Sequence, residues 1–366
     1  MPDPRVTKLA QVLVNYSLDL QPGEEMFLNV GPQAEELGLA AYKEAILAGA
    51  HVFVQCSLAG AEEIFYKDAA DIQLDYVSPI TRLMAERFTA SLNLRAFQNT
   101  RELSGVDPTR QSRVRKANSE IMKLFMERAS RKEFKWCLTV FPTNASAQEA
   151  DMSLSEYEDF VYAAGLIDLP DPVAGWEAEG ERQRELIDWL SGKDQVSIKG
   201  SNIDMRLSIK ERKFIECSGK VNFPDGEIFT TPVEGSVDGW VRYSYPAIHG
   251  GREVEDIELW FEDGKATREK ASKGQEMLTA LLNTDDGSRY LGEWGIGTNY
   301  GIQRFTKNML FDEKIGGTIH FAVGFGYPES GSKNISGIHW DMLCDMAESE
   351  ITIDGELFYK DGKFMV

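Results

Sequence analysis

Glu227, Glu293, His320, His339 and Asp341 are the residues of this chain whose types and spacing best suit chemistry. The sequence holds only four histidines, and two of them, His320 and His339, fall in one short region near its end, each on or beside a segment that reads as a strand. In Thr318-Ile319-His320-Phe321-Ala322-Val323-Gly324, alternation sets His320 on the opposite face from Ile319, Phe321 and Val323. In His339-Trp340-Asp341 the two polar side chains share a face when the backbone is extended, and Trp340 points away into packing. Imidazole combined with carboxylate suits zinc, cobalt, manganese or iron, whereas magnesium or calcium is expected with oxygens alone. These donors exceed what one tetrahedral zinc needs, and two ions sharing a bridging carboxylate would use them all. Taken singly, each has an ordinary reading: a hydrogen-bonded histidine, a solvated Glu227 after the Asp225-Gly226 turn, a water-facing Glu293. The set is what points to a dinuclear metal centre.

Four stretches then carry a family resemblance: Asn222-Phe223-Pro224-Asp225-Gly226-Glu227-Ile228-Phe229-Thr230-Thr231-Pro232, Leu291 to Asn299, His320 to Pro328, and Ile338 to Asp341. In these the chain resembles the M29, aminopeptidase T-like, family of metalloaminopeptidases. The resemblance implies that Glu227, Glu293, His320, His339 and Asp341 hold two divalent ions, zinc, cobalt or manganese. It also implies that Tyr327 is the family tyrosine that follows the strand histidine, and that the protein is a homodimer. The likeness is strongest from about residue 195 onward; in the first half it rests on Phe141-Pro142-Thr143 and Met152 to Glu156. The interval from His320 to His339 is shorter than is usual in the family, so the loop from Pro328 to Ser336 is trimmed, which bears on substrate access and specificity.

The activity implied is removal of N-terminal residues from peptides. Tyr327 would donate a hydrogen bond to the developing oxyanion, and proton transfer would fall to Glu234 or to a loosely held Glu293; the residues alone do not choose between them. Two rival readings stand beside this one. His320, His339 and Asp341 also suit the facial triad of a mononuclear iron(II) ring-cleaving dioxygenase related to 2,5-dihydroxypyridine dioxygenase, which has no need of both Glu227 and Glu293. A metal-binding protein without chemistry is the third. His249 in the loop before Gly250-Gly251 is a further ligand in either rival, His51 reads as structural, and Cys344 as a buried packing thiol.

Composition sets limits on all three. The 366 residues are enough for two domains, and a hydrophobic content of 42% is that of an ordinary globular protein. A net charge of -20, from 59 acids against 39 bases, argues against nucleic acid as a partner. The basic run from Arg110 to Lys116, continued by Lys123 and Arg128 to Lys132, alternates with apolar residues at helical spacing and reads as a solvated helix face. Met1 to Arg5 lacks the pattern of a secretory signal and no apolar run is long enough to span a membrane, so a cytosolic protein is expected. The four cysteines are far apart with no Cys-x-x-Cys, which suits reduced thiols.

These residues need elements to position them. In the first half, Glu25 to Val30 reads as a strand after the Pro22-Gly23 turn, Leu37 to Ala48 as a helix closed by Gly49, and His51 to Gln55 as a second strand: a β-α-β unit and hence a parallel sheet. Further helices are expected around Ile80 to Phe88 and from Val114 to Phe125, a strand from Trp136 to Phe141, and a helix capped by Ser153 with Glu156 and ended by Gly165. No phosphate-binding glycine motif follows the first strand. Asp168 to Pro172 breaks regular structure before a charged helix running through Leu190. Beyond it come short strands, at Ile203 to Leu207 and Val241 to Tyr245, hairpin turns at Asp263-Gly264, Asp354-Gly355 and Asp361-Gly362, and a helix near Met277 to Leu282. The expected architecture is α/β: an N-terminal α/β scaffold domain with a parallel sheet over 1–185, and a strand-rich α+β metal-binding domain over 186–366.

Overall fold

The computed structural model describes residues 3–366. They form two compact units: one running to Val173 and taking in Gly219–Pro224, the other made of Ala174–Ser218 and Asp225–Val366. The sequence reading set the division at 185/186; by contacts the chain divides within the Pro172–Leu190 helix, and one short excursion from the second half belongs to the first unit.

The first unit is built on a five-stranded parallel sheet in the order His51–Cys56, Glu25–Val30, Ala90–Arg95, Lys135–Val140, Asn222–Phe223. Its first β-α-β unit follows from the sequence: Met26, Phe27 and Leu28 are buried in the strand, the Glu35–Leu47 helix buries Leu37, Ala41 and Ala45, and Gly49 turns the chain at φ 84°. The capping box at Ser153 is closed from both sides, by Glu156 N donating to Ser153 Oγ at 3.3 Å and Ser153 N to Glu156 Oε2 at 2.8 Å. It starts the Leu154–Ala164 helix and contributes about 1 kcal/mol to it. The single helix expected from Val114 to Phe125 is instead two, Pro108–Ala117 and Ser119–Ser130. The break falls at Asn118, whose side-chain amide bonds back to Val114 O at 3.0 Å and competes with the helical backbone. The basic face of the earlier helix is spent locally: Arg113 pairs with Asp71 and Asp75 at 2.5 and 2.6 Å, and Arg110 donates to the carbonyls of Tyr66 and Ala69.

The second unit holds an eight-stranded and a five-stranded antiparallel sheet, beside a small Ala247–His249/Arg252–Val254 ribbon. The Asp263-Gly264, Asp354-Gly355 and Asp361-Gly362 pairs sit at hairpin turns with both residues at positive φ, as the turn chemistry requires. The strand expected over Val241 to Tyr245 lies earlier, at Asp238–Arg242, where it pairs with Ile203–Arg206 before the chain leaves the sheet. One apolar core draws on both large sheets, including Ile198, Met205 and Val241 from one and Ile228, Trp294, Phe321 and Met342 from the other. Among the described residues no helix is long and apolar enough to cross a membrane.

Candidate metal centre

The five-stranded sheet runs His339–Asp345, Thr318–Gly324, Leu291–Gly297, Glu227–Thr230, Ile215–Cys217. Its register explains why residues far apart in sequence meet. Glu293 is opposite Ala322, which is opposite Asp341; Gly295 is opposite His320; Gly297 is opposite Glu227; and Gly324 is opposite His339. Directly paired residues share a face, and so do residues two apart, so all five donor side chains project from one side of the sheet. The alternate residues, Ile228, Trp294, Ile296, Ile319, Phe321, Val323, Trp340, Met342 and Cys344, point into the apolar core. Each donor faces a glycine or alanine across the strand, which leaves room for it. The requirement is sharpest at Gly295, where a Cβ would lie 2.0 Å from His320 Nε2.

The donors form two overlapping groups. In the first, His320 Nε2 lies 3.0 Å from Glu293 Oε1 and 3.2 Å from Glu227 Oε2. In the second, His339 Nε2 lies 3.6 Å from Glu293 Oε2 and 3.5 Å from Asp341 Oδ2. Glu293 belongs to both, one oxygen toward each histidine. His339 donates Nδ1–H to Phe325 O at 2.7 Å, which fixes the tautomer that leaves Nε2 as a ligand atom. Three buried polar atoms here, Glu227 Oε2, His320 Nδ1 and Asp341 Oδ1, have no hydrogen-bond partner, an arrangement that is costly in a dry interior. Orphaned oxygens of Glu227 and Asp341 beside Nε2 of His320 and His339 are what a cation of the zinc, cobalt or manganese class would satisfy, so the donor set fits divalent metal.

Two participants carry no signal in the sequence. Lys314 is completely buried, with Nζ 2.5 Å from Glu227 Oε1, 2.7 Å from Glu313 Oε1 and 3.5 Å from Asp225 Oδ1. Glu313 also offers an oxygen within 4.8 Å of donor atoms of His320 and Asp341. Burial opposes the Lys314 charge, but Glu227, Glu313 and Asp225 outweigh it and hold the ammonium well above its ordinary pKa. It is a fixed internal cation that occupies Oε1 of Glu227 and leaves Oε2 facing His320. The Met309–Asp312 helix, whose N-cap is Asn308, delivers both residues.

Electrostatics follow from the crowding. Burial raises Glu227 and Glu293 above the usual carboxylate range. Burial lowers His320, but its bond to Glu293 and the charges of Glu227 and Asp341 carry it up to about 9. The metal-free cluster therefore holds protons near neutrality that a cation must displace. Binding of zinc to stripped protein is expected to release protons and to tighten as pH rises from about 6 to 9, because the free site binds more protons than the loaded one. Calorimetry in buffers of different ionisation enthalpy measures this, and an affinity that is flat or falls over that range would contradict it.

Tyr327 and Glu234 are placed differently. The Tyr327 ring packs against His339, with centroids 5.3 Å apart, and against Phe229 at 5.5 Å. Burial and the surrounding carboxylates keep its phenol protonated far above neutrality, so it is a hydrogen-bond donor. Glu234 belongs to none of the close donor groups among the described residues. Its Oε2 pairs with Arg212 at 2.5 Å and its Oε1 accepts from Lys333 N at 2.7 Å. Burial would raise its carboxyl, but the backbone N–H of Lys333, its own and Arg212 together hold it below the ordinary value. His249 packs edge-on against core Trp340, centroids 5.9 Å apart, and His51 is exposed in the edge strand. The Cys344 thiol, pushed up to about 12 by burial, accepts from Asn202 and is inert packing.

Comparison with known proteins gives the family. The chain is 27% identical to aminopeptidase 2 of Geobacillus stearothermophilus over 97% of its own length and 94% of that protein's. It is likewise 27% identical to aminopeptidase T of Thermus thermophilus, over 97% and 95%. The solved structure of wild-type AmpT from Thermus thermophilus shares the fold, with a TM-score of 0.85 at 24% identity and 99% of each chain covered. The model of the thermophilic metalloprotease (M29) family matches residues 3–364. The chain belongs to the M29 metalloprotease family.

Proposed function

We propose that this protein is an aminopeptidase that removes N-terminal residues from peptides at a centre of two divalent ions, zinc, cobalt or manganese, with Glu293 shared between them. The observation that carries the reading is Glu293 itself, whose two oxygens face different histidines at 3.0 and 3.6 Å. Glu227 and His320 complete one position; His339 and Asp341 complete the other. Divalent ions held there would supply an acidified water and a Lewis acid for the scissile carbonyl.

The chain's own groups do the rest. Lys314 is held by Asp225, Glu227 and Glu313, and the chain's net charge of -20 favours the approach of a cationic N-terminus. Tyr327, protonated beside His339, donates to the oxygen on which charge develops. Proton transfer to the leaving amine does not fall to Glu234, whose two oxygens are engaged by Arg212 and Lys333, and would fall to Glu293 only where one of its oxygens is loosely held. The ring-cleaving dioxygenase reading finds no support, because Glu227 and Glu293 crowd His320 where a facial triad would need open positions.

Exhaustive chelation is expected to abolish hydrolysis of aminoacyl substrates and dipeptides, and zinc, cobalt or manganese to restore it, with N-acetylated counterparts uncleaved throughout. Full turnover after confirmed metal loss would end the reading. A homodimer in the cytosol is part of the same proposal. It is supported by the open sheet edge at His51–Cys56, where Phe53 and Val54 are exposed, and by four free thiols.

A further inference from the structure

The geometry points to Glu234 and Arg212 as positioning residues, a clamp that holds the trimmed Pro328–Ser336 loop and through it Tyr327. This rests on the aminopeptidase reading for its effect on rate, though not for its effect on the loop. Arg212 is nearly buried, its side chain 8% exposed. One guanidinium nitrogen, Nη1, donates to Gly331 O; Nη2 pairs with Glu234 Oε2. The other oxygen of Glu234 accepts from Lys333 N at 2.7 Å. The ion pair thus grips one carbonyl and one amide two residues apart in the same loop, a bidentate hold on backbone that has no strand to belong to. At the loop's turn Gly331 adopts φ 95°, and a Cβ there would come 3.3 Å from Arg212 Nη1, so the guanidinium sits directly on the turn.

The clamp is anchored between the donor-bearing Glu227–Thr230 strand and the end of the Ile203–Ser208 strand of the eight-stranded sheet. Glu234 follows the Glu227–Thr230 strand by four residues, and Val233 N is bonded to Ser208 O at 2.8 Å. On the other flank of the loop, Ser330 N donates to Tyr327 O at 3.1 Å and Ser330 Oγ to Thr231 Oγ1 at 2.7 Å, which in turn donates to Gly292 O at 2.6 Å. Gly292 precedes Glu293, and Thr231 ends the stretch begun by Glu227. The backbone of Tyr327 is therefore tied to both strands, and the Arg212–Glu234 pair holds the next turn so that this tie persists. A carboxylate with both oxygens occupied and its charge stabilised is a poor proton acceptor, which makes positioning, not proton transfer, the work of Glu234.

The test uses the full metal-loaded protein with E234Q, R212M and the double variant. Backbone exchange of the 331–336 amides is read by mass spectrometry, and kcat/KM for an aminoacyl substrate is followed against pH. Each single variant is expected to speed loop exchange by about tenfold or more. Each should lower kcat/KM by about tenfold without moving either pH limb, and the double should be no worse than the worse single. Should R212M fail to fold, the near-isosteric E234Q alone decides. Loop exchange in E234Q equal to the parent's would overturn the clamp, and so would loss of the acidic limb of the pH profile, which would make Glu234 a base. If the parent cleaves no aminoacyl substrate, the aminopeptidase reading fails while the exchange measurement still judges the clamp.

Discussion

Replacing Glu293 by Gln is expected to weaken both ion positions at once, because its two oxygens serve the His320 group and the His339 group separately. The loss in kcat/KM should reach about three orders of magnitude, about 4 kcal/mol of transition-state stabilisation. The comparison that makes this specific is E227Q. Glu227 touches only the His320 group, so that variant should keep one ion per chain while E293Q retains neither at stoichiometric metal. Unfolding is not the expected cause of the loss. Burial raises the Glu293 carboxyl, so its ionised form is disfavoured in the metal-free fold and stability falls as pH rises above the unfolded value toward the folded one. A neutral Gln removes that cost, and the metal-free E293Q protein should melt no lower than the metal-free parent at alkaline pH. If E293Q and E227Q lose the same single ion, Glu293 is not shared.

The second large effect is expected at a residue with no side chain. A Cβ on Gly295 would lie 2.0 Å from Nε2 and 2.1 Å from Cε1 of His320, and no real Cβ contact is that short. The imidazole is fully buried between Glu227 and Glu293, so it must leave its place. G295A should therefore cost about 1–3 kcal/mol of stability through overpacking. It should cost activity by about 100-fold or more, since a ligand displaced by an ångström disorders the chemistry it supports. Gly297 offers a contrast within the same strand: there a Cβ would meet Ile315 O at 2.1 Å, a backbone clash away from the histidine. A G295A protein with parental metal content and turnover would show that the His320 ring is not held where the sheet places it.

The faces of the candidate donors were legible in sequence because strand periodicity sorts side chains by face: His320 away from Ile319 and Phe321, and His339 together with Asp341. Which strands lie side by side could not. That Glu227 meets His320 depends on the Leu291–Gly297 strand lying between theirs, a fact of sheet order that periodicity does not encode. Gly295 did leave a signal, as one of three glycines in the Leu291–Gly297 strand, since a glycine inside a strand marks a close approach by something else. Lys314 and Glu313 left none, because they follow a four-residue helix and reach the cluster only through tertiary placement. Glu234 shows the same limit in reverse: its nearness to Glu227 in sequence was visible, but its direction, toward Arg212 and the trimmed loop, was not. In the scaffold, apolar patterning was enough for the parallel strands. It could not reveal that Asn222–Phe223 extends that sheet, since two residues carry no period.

The most direct measurement is a metal titration of stripped protein with ion content and aminoacyl hydrolysis followed together. The account predicts that activity rises until two equivalents per chain are bound and then levels, with kcat dependent on the second ion. Full activity at one equivalent, or two bound ions with no release of an N-terminal residue from any peptide, would contradict it.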